Sequence, residues 1–248
     1  EKPCLPAGQE QAIKQWEKTM PRYSFDAVVV SGTGVDTNVY LPGADIDWQV
    51  EATFTENIDY IGKAGGYSSR GFRRLGKRVA LIDALGNDYH GAHIRQDLEK
   101  SRIDTRGVFF DPKGTRRSIN MMYRDGRRKN FYDGKGSMEI TPPLRRCRSI
   151  LSRTKLAHFN IINWSRYLLP VAKKLGVTIS CDLQDIVAFP DPYRDEFIRY
   201  ADVLFFSSVN HPDPTPMSEA LLGAHAGCTV LCGMGSRGCA LGTPSSTR

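Results

Sequence analysis

The sequence predicts an α/β fold, in which a mostly parallel central sheet is flanked by helices in a Rossmann-like arrangement. Short apolar runs alternate with longer amphipathic segments along most of the chain. This alternation is typical of parallel sheets that are covered on both faces. Residues 37–62 and 115–134 interrupt it with alternating polar and apolar positions, which predicts a small β-lid beside the main sheet.

The N-terminal half supplies the first strands and helices of this fold. Residues 1–24 are interpreted as a polar extension with a helix at 8–19, which ends before Pro21. Gly76 is placed to end a helix at 68–75, and the Gly65-Gly66 pair before that helix reads as a loop. The predicted strands of this half lie at 27–31, 79–84 and 108–110, and a further helix lies at 91–100.

The lid contains a strong hairpin signal. Asp125-Gly126 lies between two alternating runs, at 118–123 and 129–132. An Asp-Gly pair favours the tight turn that joins two antiparallel strands.

The C-terminal half resumes the alternation of helices and strands. Helices are predicted at 144–152, 165–175, 193–200 and 216–226, and strands at 155–159, 177–181, 203–206 and 229–232. In such a sheet, ligands bind beyond the carboxyl ends of the strands. This rule selects polar loops at 32–36, 87–91, 160–164, 182–185, 207–213 and 233–238.

Composition and charge exclude several classes of protein. The net charge of +7 comes from scattered arginine clusters without aromatic interleaving, which favours a solvated surface or attraction of an anionic ligand over nucleic-acid binding. No apolar run approaches the roughly 18 residues of a membrane span, and we expect no membrane partner. The six cysteines form no CxxC pair; a reduced, cytoplasmic protein without a zinc site is the simplest interpretation.

Several motifs resemble a known family when they are taken in order. Residues 64–76 read Ala-Gly-Gly-Tyr-Ser-Ser-Arg-Gly-Phe-Arg-Arg-Leu-Gly, and a strand and Leu85-Gly86-Asn87-Asp88 follow. Asn210-His211-Pro212-Asp213 and Gly235-Ser236-Arg237-Gly238 come later. Together they resemble the ribokinase-like (PfkB) carbohydrate kinases over about residues 25–242.

The resemblance implies a kinase domain over residues 25–248 that uses ATP and Mg²⁺ to phosphorylate a sugar or nucleoside-like substrate. It also implies a homodimer formed through the lid. The residues that it places at the substrate are Asp36, Gly65, Gly66 and Asn160. Those that it places at the nucleotide are Asn210, Gly235, Arg237 and Gly238, with Asp213 at the metal.

Two departures from the family pattern limit this expectation. Tyr67 and Arg70 stand where members often have Asn, so the identity of the sugar is not carried over. The family's catalytic Gly-Ala-Gly-Asp segment does not occur in these 248 residues. The base is therefore expected beyond residue 248, and we expect a C-terminally truncated chain that is impaired in phosphoryl transfer.

Two other functions compete with the kinase. A non-catalytic sugar- or nucleotide-binding protein on the same fold stays open as the alternative. A dinucleotide-dependent dehydrogenase is disfavoured, because Gly32-Thr33-Gly34 after the first strand does not continue into Gly-x-Gly-x-x-Gly.

Overall fold

The computed structural model describes residues 23–244 and the backbone of residues 246–247. The helix predicted at 8–19 lies outside the described residues. The described chain forms a nine-stranded sheet, a separate four-stranded sheet, and a set of helices. The α/β prediction and the predicted lid are both confirmed.

The strands and helices have the following bounds. The strands are β1 Ala27–Val30, β2 Gly34–Tyr40, β3 Glu56–Gly62, β4 Val79–Leu85, β5 Asp104–Phe110, β6 Arg117–Met122, β7 Arg128–Asp133, β8 Leu156–Asn160, β9 Thr178–Asp182, β10 Val203–Ser207, β11 Thr229–Gly233, β12 Cys239–Thr243 and β13 Ser246–Thr247. The α-helices are α1 Lys63–Arg74, α2 Tyr89–Lys100, α3 Leu144–Leu151, α4 Leu169–Lys174, α5 Asp195–Tyr200 and α6 Thr215–Ala224. Short 3₁₀ helices span Asn163–Leu168, Ser208–Asn210 and Gly235–Arg237.

The main sheet has the order β5-β4-β1-β8-β9-β10-β11-β12-β13. In this order, the first seven strands, β5-β4-β1-β8-β9-β10-β11, are parallel. Strands β12 and β13 add an antiparallel edge. Every residue of β1 and β4 is buried, as continuous apolar strands in the middle of a parallel sheet should be. The two antiparallel strands were not anticipated from the sequence.

The lid is a sheet of order β3-β2-β6-β7. Strand β2 is antiparallel to β3 and parallel to β6. The β6–β7 hairpin turns at the predicted Asp125-Gly126 pair, where Gly126 has a φ of +86° that suits glycine.

The apolar core lies on both faces of the main sheet. The larger cluster includes Phe159, Trp164 and Phe197, and packs α3, α4 and α5 on one face. The smaller cluster packs Ile94 and Leu98 of α2 against the other face of the central strands. The described cysteines are free. Among residues 23–244, no helix combines the length and the apolar composition that crossing a bilayer requires.

The start of α1 differs from the prediction. The helix begins at Lys63, so Gly65 and Gly66 lie inside its first turns and do not form a loop. The Gly65 N–H donates to the Gly32 carbonyl at 2.9 Å, and a Cβ at position 65 would lie 2.8 Å from that oxygen. Glycine at this position permits close packing of the helix on the β1–β2 turn, a role that the sequence pattern does not distinguish from a loop.

Candidate functional site

Asp36 lies at the point where the lid meets the main sheet. It is on β2 and 8% exposed. Its Oδ2 accepts a hydrogen bond from the Lys63 backbone N–H at 3.0 Å, and its Oδ1 lies 2.8 Å from Lys63 Nζ. The carboxylate is therefore held in place from the first residue of α1.

Lys63 is a candidate that the sequence reasoning missed. Its Nζ also donates to Ser118 Oγ on β6 and lies 4.9 Å from the centre of the Tyr132 ring. Burial lowers the pKa of the Lys63 amine, and its hydrogen bond to Asp36 opposes that shift. Lys63 has a positive φ of 60°. Its only sequence signal is its position directly after Gly62, between a strand and a helix.

A buried ion pair lies beside Asp36. Asp83 and Arg116 are 0% and 1% exposed, and Arg116 Nη2 donates to Asp83 Oδ1 and to the Ala84 carbonyl at 2.8 Å. Thr33 donates to Asp83 Oδ2 through its backbone N–H, at 2.7 Å, and through its hydroxyl. The guanidinium packs on Gly32, where an added Cβ would lie 2.9 Å from Nε.

This pair also leaves polar atoms without partners. Arg116 Nε and Nη1 and the Ser31 hydroxyl are buried and have no hydrogen-bond partner among the described residues. Arg116 and Arg117 form one of the arginine clusters for which the sequence favours a solvated surface or an anionic ligand. Only Arg117 is exposed, so the solvated-surface interpretation was wrong for Arg116. No local sequence pattern marks Arg116 as buried, because its partner Asp83 is far away along the chain.

Asn160 lies near the middle of the main sheet, at the carboxyl end of its strand. It ends β8, is 2% exposed, and donates from Nδ2 to Asp182 Oδ2 at 3.1 Å. Its Oδ1 is buried without a partner, and burial raises the pKa of Asp182. An unpaired buried acceptor is costly in a finished core, so Asn160 Oδ1 marks a place where a ligand donor or a water would fit.

The predicted nucleotide residues lie on two adjoining loops. Asn210 and Asp213 follow β10, and the turn 235–238 follows β11. Arg237 Nη1 donates to the Pro212 carbonyl at 3.1 Å and joins the two loops. Gly235 and Gly238 have φ values of +60° and +87°, so the turn depends on glycine.

The side chains of the first of these loops already have local partners. Asn210 Nδ2 donates to the Asp185 carbonyl at 2.8 Å. Asp213 Oδ1 accepts from the Thr215 N–H at 3.0 Å, and this bond lowers the pKa of the exposed Asp213 carboxyl. Within residues 23–244 no group of three or more His, Cys, Asp or Glu side chains is arranged to hold a metal ion.

The strand order assembles these parts along one edge. Asp36 lies beside the end of β1, the two joined loops follow β10 and β11, and Asn160 and Asp182 end the intervening strands β8 and β9. Gly65 and Gly66 contribute differently. Gly65 packs on the turn after β1, and Gly66 lies buried against Arg70. Both are part of the scaffold that holds Lys63.

Comparisons with known proteins match this architecture. Residues 61–181 match the family described as pfkB family carbohydrate kinase. The acarbose 7(IV)-phosphotransferase of Actinoplanes sp. is 24% identical over 226 residues, which are 84% of this chain and 73% of that protein.

Solved structures give the same result. The microbiome-derived acarbose kinase Mak1 is 27% identical with a TM-score of 0.80, over 90% of this chain and 74% of Mak1. The Arabidopsis thaliana ribokinase complexed with ribose and ATP has a TM-score of 0.70 at 18% identity, over 90% of this chain and 76% of that one. The family match over residues 61–181 and the shared ribokinase-like fold show that this chain is similar to the pfkB family carbohydrate kinases.

Proposed function

We propose that this protein is an ATP-dependent kinase that transfers a phosphoryl group to a hydroxyl of a sugar or sugar-like substrate. The observation that carries the proposal is the buried Asp36 carboxylate. It lies between the lid and the sheet edge, in contact with Lys63 on one side of a site whose far end carries a glycine turn.

Asp36 and Lys63 suit the recognition of neighbouring sugar hydroxyls. A carboxylate accepts hydrogen bonds from hydroxyl hydrogens, and an ammonium donates to hydroxyl oxygens. Because both groups are largely buried, their hydrogen bonds to a substrate are stronger than they would be in water. Phosphoryl transfer relies mainly on such positioning and on charge neutralisation.

The far end of the site fits a nucleotide and its metal. Gly235 and Gly238 have open space where a Cβ would stand, so their backbone lets a phosphate or ribose approach closely. Asn210 and Asp213 bring oxygen atoms to one turn, and Mg²⁺ is commonly held by few protein oxygens and several waters. When bound, the metal would neutralise phosphate charge. A ribokinase and a fructokinase of the same fold are named with bound ATP, which supports ATP as the phosphoryl donor.

We expect these 248 residues to differ in their two activities, sugar binding and phosphoryl transfer. Gly-Ala-Gly-Asp does not occur among them, so we expect sugar binding to be retained and phosphoryl transfer to be poor. Tight sugar binding with no transfer by any longer form of the protein would instead favour a non-catalytic binding protein.

The experiment is calorimetric titration of a panel of sugars and nucleosides, with and without ATP and Mg²⁺. Asp36→Asn is the test variant, and Asp195→Asn, which alters an exposed carboxylate paired with Arg199, is its matched control. We expect Asp36→Asn to weaken sugar binding at least about tenfold, the equivalent of about 1.4 kcal/mol, and the control to bind as the wild type does. Equal sugar affinity in both variants would refute the proposed site.

A further inference from the structure

The lid presents one surface to the substrate site. On β2, the residues Asp36, Asn38 and Tyr40 alternate with outward residues and so share a face. The strand register places Asn38 opposite Asn120 of β6, and Asn120 opposite Asn130 of β7. We call this face, which starts at Asp36 and continues through the asparagines, the inner lid surface.

The three asparagines form a continuous hydrogen-bonded row. Asn130 Nδ2 donates to Asn120 Oδ1 at 2.7 Å, and Asn120 Nδ2 donates to Asn38 Oδ1 at 2.9 Å. Each amide carries two N–H groups and a carbonyl that accepts twice. In the described part of the chain, Asn120 and Asn130 each use one N–H in the row. Asn120 is buried, whereas Asn38 is partly exposed and Asn130 is exposed, so the two outer asparagines keep donors and acceptors for hydroxyl groups.

Tyrosines flank the row on the side of β3 and α1. Tyr40 lies next to Asn38, whose Nδ2 is 3.4 Å from the Tyr40 hydroxyl, and it hydrogen-bonds with Tyr60. Tyr60 and Tyr67 are 39% and 57% exposed. The Tyr67 hydroxyl and Asp36 both approach Gly62, where an added Cβ would lie 2.9 Å and 2.2 Å from them. Tyrosine offers an apolar ring face together with a polar tip, which suits the mixed surface of a sugar ring.

The inner lid surface is longer than one sugar. A strand advances about 3.3 Å per residue, so Asp36 and Tyr40 lie about 13 Å apart along β2, more than a single pyranose ring spans. The row is also neutral. Near Asp36, Lys63 and Arg116 are paired with carboxylates, and the charged residues Glu56 and Arg128 lie at the far end of the same face, opposite Tyr40 and Met122. The amides of the row suit the hydroxyl groups of a polyhydroxylated chain.

We propose that the substrate is an oligosaccharide or glycoside of at least two rings, with the reacting ring at Asp36 and the next ring on the asparagine row. The inference rests on the proposed sugar kinase function and adds a second subsite to it. That subsite involves Asn38 and Asn130 in hydrogen bonding, with the buried Asn120 joining the two, and Tyr40 and Tyr60 in ring contact.

The test is the dependence of affinity on chain length. Glucose and its α-1,4 and β-1,4 oligomers of two to four units would be titrated calorimetrically into the 248-residue chain, together with acarbose, the saccharide in the names of two relatives. We expect affinity to rise at least about tenfold between one ring and three. Asn130→Ala should remove most of that gain and leave the affinity for one ring unchanged.

Two further variants keep the result interpretable. Lys129→Ala alters the neighbouring exposed residue on the opposite face of β7 and should retain the full gain. Asn120→Ser tests the buried centre of the row, and its thermal unfolding shows whether the lid still folds. A gain that is the same in Asn130→Ala as in the wild type overturns the second subsite.

The outcomes also separate this inference from the proposed function. Asp36-dependent binding that is equally strong for one ring and for three would overturn the second subsite and leave the sugar kinase standing. The absence of binding to any saccharide of any length would overturn both. A gain with length that depends on Asn130 supports both.

Discussion

Replacing Arg116 with Met tests the buried ion pair at the floor of the site. The methionine keeps most of the apolar stem but removes the charge that faces Asp83. The Asp83 carboxylate would still accept from Thr33 and Ala84, but it would be fully buried without a counter-charge. Removing one partner of a buried pair typically costs about 3–5 kcal/mol, because the other charge stays buried and uncompensated.

The magnitude can be read in a melting experiment. For a domain of this size, each kcal/mol shifts the melting temperature by roughly 2–4 °C, so Arg116→Met should lower it by roughly 6–20 °C. Urea unfolding followed by circular dichroism gives the free energy directly. Adding Asp83→Asn to the Arg116→Met variant removes the stranded charge, so the double variant should be more stable than the single one.

Arg117→Met is the matched control, because it changes the next residue along the chain and that residue is exposed. Surface changes of this kind usually stay within about 0.5 kcal/mol. An Arg116→Met variant that is as stable as the control would refute the cost assigned to the buried Asp83 charge. Additive destabilisation by Asp83→Asn and Arg116→Met would also refute it, since two members of one ion pair must couple.

Two further predictions concern the scaffold. Gly65→Ala should destabilise the fold by about 1–3 kcal/mol, because its methyl would overlap the Gly32 carbonyl; Gly71→Ala, in the same helix with open space around it, should stabilise by about 0.5–1 kcal/mol. Urea unfolding measures the free energy of unfolding of both variants, and equal changes would refute the role of Gly65 in close packing. Burial lowers the pKa of His158 from 6.5 to about 4, so the unfolded chain gains a proton below pH 6.5 that the folded chain does not take up until about pH 4. The free energy of unfolding should therefore fall by up to about 3 kcal/mol as pH drops through that window, and His158→Phe should flatten the fall; an identical pH profile in both proteins would contradict this.

The sequence predicted the elements whose signals are local. Buried strands such as β1 and β4 appear as apolar runs, and the β6–β7 turn appears as Asp-Gly, because each signal lies within a few residues. The start of α1 was misjudged because the packing partner of Gly65 is Gly32, far away along the chain. Arg116 was misjudged for the same reason, because its burial is decided by Asp83.

Arg116 and Lys63, to which the sequence assigned no role in the site, link the lid to the main part of the protein. Arg116 precedes lid strand β6 and sends its side chain to Asp83 of β4, while Lys63 begins α1 and sends its side chain to Ser118 of the lid. Both links lie beside Asp36, where a reacting hydroxyl would need the most accurate placement, since small errors in position are expensive in catalysis. The asparagine row and Tyr40 lie further along the lid, and the row includes the exposed residue Asn130. The rigid, ion-paired end of the lid thus coincides with the proposed chemistry, and the more open end coincides with the proposed second subsite. A substitution near Lys63 or Arg116 should therefore affect every saccharide alike, whereas one in the asparagine row should affect only the longer ones.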